Sequence, residues 1–140
     1  MAIDRSKVKN IILKQLIGSD AINAEVANRV YPAHLATIEA PVFPCICFDF
    51  FGTGNKNMPA LPNAINVTMN MWFYGQERKG YVQPNKLLKL TIEAIHRQDI
   101  QDSTHGINVV CENISDPIEF VDPELNVPFV YNRWEVTALA

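Results

Sequence analysis

No apolar run in these 140 residues approaches the roughly 18–20 positions that a bilayer-spanning helix needs; the greasiest stretch, 45–51, contains Asp49 and stops at Gly52. The opening residues, Met-Ala-Ile-Asp-Arg-Ser-Lys, lack the apolar segment and small-residue cleavage site of a secretory signal, so synthesis in a reducing cytoplasm is expected. Cysteine is scarce and odd in number, with Cys45, Cys47 and Cys111 only. Cys45 and Cys47 sit two apart in a strand-like run and share one face, which reads as buried thiols. A zinc knuckle would need a wider spacing and a second ligand pair, and His34, His96 and His105 supply none nearby. Basic charge is also short: 12 Lys+Arg stand against 15 Asp+Glu for a net charge of −3. An electrostatic grip on nucleic acid is therefore unsupported.

Catalytic signatures are missing too. Gly52-Thr53-Gly54 lacks the downstream glycine and helix start of a dinucleotide fingerprint, and no Lys-Ser/Thr follows a glycine loop as in a P-loop. The histidines read as surface or capping residues, and Asp116-Pro117 and Asp122-Pro123 as turn starters. No catalytic, cofactor-binding or metal-binding residue is assigned, and the chain is expected not to be an enzyme and to carry no cofactor.

What is present is a foldable pattern. Hydrophobic residues make up 48% and charged residues 19%, and a domain of this length buries about two-thirds of its unfolded surface, so one domain spanning 1–140 is expected. Asp4 or Ser6 can cap a first helix in which Val8, Ile11, Ile12 and Leu16 recur at helical spacing, with Gly18 after it. A short helix over 21–29 follows, then a proline-held connector over 30–43. The run 44–51 reads as a strand with Ile46, Phe48 and Phe50 on one face. The run 64–74 alternates cleanly, with Ile65, Val67, Met69, Met71 and Phe73 opposed to Asn66, Thr68, Asn70, Trp72 and Tyr74. The loop joining these strands is longer than an ordinary hairpin loop, and such loops are often functional. A helix over 81–98, a strand over 107–114, an acidic loop and a closing strand over 129–139 complete the order. The expected fold class is α+β, a mostly antiparallel sheet of about four strands with two main helices packed on one face. The other sheet face is polar at one end and aromatic at the other, so Asn70, Trp72 and Tyr74 are candidates either for packing under a loop or for a subunit contact.

The order of elements and several local motifs resemble the tail terminator or tail-completion proteins of long-tailed bacteriophages. The matching features are the amphipathic first helix, Asn28-Arg29-Val30-Tyr31-Pro32 leading to Pro41-Val42-Phe43-Pro44-Cys45-Ile46, the alternating strand through Trp72-Phe73, the helix around Asn85-Lys86-Leu87-Leu88 and two closing strands. The resemblance implies a structural virion protein, a homo-oligomeric and commonly hexameric ring assembled in the bacterial host cytoplasm. It would end polymerisation of the tail tube and join the tail to the head connector, with the tube protein and connector as partners. DNA would pass through without specific binding, and no membrane is involved. Asn55, Lys56 and Asn57 become candidate partner contacts, and Asp116, Glu119, Asp122 and Glu124 candidate lumen-facing residues that repel DNA. Three other readings stand beside it: a neck adaptor or stopper, a small ligand-binding or catalytic α+β domain, and a module that docks a peptide by strand addition at an open sheet edge.

Overall fold

The computed structural model describes residues 3–51, 63–76 and 78–140. The first helix, α1 (Arg5–Ile17), starts where Asp4 Oδ1 accepts from the Ser6 amide at 2.9 Å and from the Ser6 hydroxyl at 2.8 Å. Val8, Ile11, Ile12 and Leu16 form its buried stripe. Ser19 caps α2 (Asp20–Val26), which ends earlier than its sequence pattern suggests because Ala27 and Asn28 adopt left-handed backbone, φ 49° and 65°. The connector contains a two-residue strand, β1 (Val30–Tyr31), and a tight helical turn at Leu35–Thr37. There follow β2 (Cys45–Phe51), β3 (Ala64–Tyr74), α3 (Val82–Ile95), β4 (Ile100–Asp102), β5 (Ile107–Asn113), β6 (Ile118–Val121) and β7 (Pro128–Leu139).

These strands form one seven-stranded sheet in the order β1-β2-β3-β7-β5-β4, with β6 also on β7. The sheet curls into a half-barrel. All pairings are antiparallel except β1 with β2. The expected fold of about four strands with two main helices is thus corrected to seven strands and three helices among the described residues. The physical reasons differ by element. Strands of two and three residues, β1 and β4, are too short to display an alternation. The strand β6 lies between Pro117 and Pro123 among carboxylates and reads as an acidic loop. It pairs because β7, twelve residues long, outruns β5: β5 occupies the β7 edge from Trp134 to Leu139, and β6 takes Pro128 to Tyr131. Between them the chain steps over a break where the Ile114 amide donates to the Arg133 carbonyl at 3.1 Å and the Arg133 amide to the Ser115 hydroxyl at 2.8 Å.

One sheet face carries the main core. Ile46 and Phe48 from β2, Val67, Met69, Met71 and Phe73 from β3, and Val130, Trp134 and Val136 from β7 pack with the stripes of all three helices. Each such side chain contributes on the order of 1.5–3 kcal/mol through burial. The buried Asn132 interrupts this face; its Oδ1 accepts from Trp134 Nε1 at 2.8 Å and its Nδ2 donates to Asn113 Oδ1 at 3.0 Å.

Candidate interaction surfaces

The opposite sheet face has two parts. At the end shared by Cys45, Tyr74 and Phe129, the connector folds over and makes a second core of Leu35, Cys45, Cys47, Tyr74 and Val127, with Tyr31, Ile38, Phe43, Trp72 and Phe129 at its margin. Tyr74 is 4% exposed there, a residue of the chain's own interior. Burial, and the nearby Cys47 and Cys45 thiols after it, hold its phenol well above the usual tyrosine range. Trp72 is half-buried, its ring 4.9 Å from the His34 ring and 5.7 Å from that of Tyr131. Asn70 accepts a 2.6 Å hydrogen bond from the Tyr131 hydroxyl, which also accepts from Arg133 Nε at 3.1 Å. Further along, Asn66 donates to Thr137 Oγ1 at 2.9 Å and to Glu135 Oε1 at 3.2 Å, so this part of the face is a polar surface knitted across β3 and β7. Of the sequence candidates, Asn70 and Trp72 lie side by side on the open face, Tyr74 lies under the connector, and Asn55, Lys56 and Asn57 fall outside the described residues.

The cysteines are buried free thiols: Cys45 and Cys47 share the second core, while Cys111 belongs to the main one. A hydrogen bond with Cys45, and burial after it, push the Cys47 thiol far up; burial alone pushes Cys111 up to about 12. Each histidine has a local task. His34 Nδ1 accepts from the Ala36 amide at 3.1 Å, and His96 Nδ1 accepts from the Asn113 amide at 3.1 Å beyond the end of α3. His105 Nδ1 sits 2.6 Å from Asp102 Oδ2 in a turn, and that hydrogen bond is the main cause of a lowered Asp102 pKa. Among the described residues no three His, Cys, Asp or Glu gather as a metal site. The hollows are open and small, one of about 230 Å³ between α1 and β4 being lined by Ile11, Lys14, Gln15, Ile100, Gln101, Asp102 and Ser103.

The four acidic candidates come together on and just before the β6–β7 hairpin. Glu119 accepts from Asn85 Nδ2 at 2.9 Å, tying the hairpin to the start of α3. Asp122 Oδ1 accepts from the amides of Glu124 (2.9 Å) and Leu125 (3.0 Å), a turn-forming role of its own. Asp116 and Glu124 are exposed at either end. Sequence reasoning missed what lies between them: Ile118, Phe120 and Val121 are 49%, 47% and 52% exposed, and Phe120 stacks on Phe129 with ring centres 5.6 Å apart. Their β-branched and aromatic character, in a run of four between prolines, was the available signal.

No protein-family model and no curated protein matches the sequence. Among solved structures the fold is similar to a chain from the virion of a native gene transfer agent particle. That match has a TM-score of 0.66 at 10% identity and covers 94% of each chain. The likeness is one of fold. It extends over nearly the whole of both chains.

Proposed function

We propose that this chain is a structural, non-enzymatic protein of a phage-like virion, forming a ring at the head-proximal end of the tail tube that ends tube polymerisation and joins the tail to the head connector. The observation that carries the reading is the near full-length fold match to a chain of a gene transfer agent virion. The shape of the surface is in keeping with it: small open hollows, histidines engaged in turns and caps, and a sheet face whose polar and aromatic residues, Asn70 and Trp72 among them, suit contacts with protein. A ring uses two different patches per subunit and closes without free ends. The tube protein and the connector are the partners of this reading, and the acidic hairpin would face either the DNA channel or one of them.

Deleting the gene in its parent particle tests the proposal. Tails of uncontrolled length are expected. Tails of normal length that fail to join heads would move the protein to the neck as adaptor or stopper, and normal infectious particles would overturn the reading.

A further inference from the structure

Among the described residues, the strand β6 is bonded on one side only. The Pro128 carbonyl accepts from the Gly75 amide at 2.9 Å, so that residue of β7 turns its backbone toward β3. Backbone groups alternate along a strand. Phe129 and Tyr131 therefore bond β6 at their partners Phe120 and Ile118, and the amides and carbonyls of Glu119 and Val121 point away from the sheet. Natural edges of this kind are kept very short, given charged side chains or proline, or covered by a helix or loop. The strand is short, contains Glu119 and directly follows Pro117, yet all four of its residues are exposed, with Ile118 and Phe120 lined up beside Phe129 on the open face and Val121 on the other. From 114 to 127 the chain holds Asp116, Glu119, Asp122 and Glu124 and no Lys or Arg. Arg78, whose amide donates to the Asn126 carbonyl at 3.2 Å, sits by the turn rather than the open strand.

We propose that β6 is a docking edge for an extended, positively charged segment of another protein, which adds to the sheet as a strand. The outward groups of Glu119 and Val121 supply main-chain hydrogen bonds, Ile118 and Phe120 take alternate apolar side chains, and the carboxylates select lysine or arginine. Repelling DNA from a channel would need the carboxylates but neither an open edge nor exposed apolar residues, so the combination favours a strand. This goes beyond the ring reading and does not depend on it.

The test titrates the purified chain with a capped Lys-Val alternating hexapeptide and its Glu-Val counterpart, while amide hydrogen exchange is followed residue by residue. The Lys-Val peptide is expected to bind, more weakly as salt rises, and to slow exchange at Glu119 and Val121. Val121→Pro, which removes an outward amide without touching the β7 ladder, should weaken binding about tenfold, the worth of one hydrogen bond. Asp116→Lys, an exposed change that leaves the Asn85–Glu119 tie in place, should narrow the preference between the two peptides. Absence of binding, indifference to peptide charge, or protection elsewhere would overturn the proposal. Protection of both amides in the free chain together with a doubled mass would overturn it in favour of a second copy of this protein as the occupant.

Discussion

The hydrogen-bonded row Asn113-Asn132-Trp134 makes a buried polar coupling inside an otherwise apolar layer, and replacing Asn132 by Leu tests what it contributes. Asn132 and Trp134 are both 0% exposed, and the 2.8 Å bond from the indole N–H ends on Asn132 Oδ1. Leu keeps the branching of Asn but is the bulkier side chain, so the change strands a buried N–H and adds some overpacking at a fully buried site. That costs about 1–3 kcal/mol, offset in part by the added apolar burial, for a net loss of roughly 1–2 kcal/mol. Trp134→Phe removes the donor and leaves a cavity, at a similar or larger cost. In the double variant no donor remains to be stranded, and replacing both partners with apolar groups is close to neutral for the bond itself. The cycle should therefore show a coupling of about 1–2 kcal/mol. Urea unfolding at equilibrium is the assay; with a slope near 2 kcal/mol per molar, the Asn132→Leu midpoint should fall by about 0.5–1 M. Additivity within about 0.3 kcal/mol would refute the reasoning and show that Trp134 is held by packing alone.

Three further outcomes follow from single contacts. Glu25 is held below the usual carboxylate range, chiefly by its hydrogen bond with Lys86, so its folded pKa is depressed and the pair's stabilisation is present above the unfolded value and lost as pH falls through the folded one. Lys86→Met should cost at most about 1 kcal/mol at neutral pH, a difference that shrinks below about pH 4 in thermal melts. A Cβ at Gly75 would lie 2.8 Å from Pro84 Cδ, a ring atom that cannot swing aside, so Gly75→Ala should destabilise by about 1–3 kcal/mol in urea titration. The buried thiols Cys45, Cys47 and Cys111 should not react with a thiol reagent at pH 8 in the native chain and should all react in denaturant; rapid native labelling would contradict the two cores described.

Long periodic segments were legible from the sequence. The stripe of α1, the face of α3 and the eleven-residue alternation of β3 each repeat their signal over several turns or pleats, and the structure places them where the pattern puts them. The acidic residues near 116–124 were visible as a group because they are neighbours in the chain. The same reading could not tell Tyr74 from Trp72. Both point to one face of β3, and only the fold of the connector over Cys45 and Cys47 buries the first and leaves the second at the margin. It could not see β6 as a strand either, because a run of four residues carries too little periodicity and its partner is fixed by the length of β7.

Local chemistry thus determined the element types wherever periodicity, caps and turn residues agree over enough residues: Asp4 and Ser19 start helices, and alternation makes β3. Pairing and exposure were decided by tertiary structure. Which strand satisfies the spare edge of β7, which backbone groups of β6 are left facing outward, and which aromatic side chains are covered all depend on contacts between residues far apart in the chain, and those contacts have no signature in any one segment.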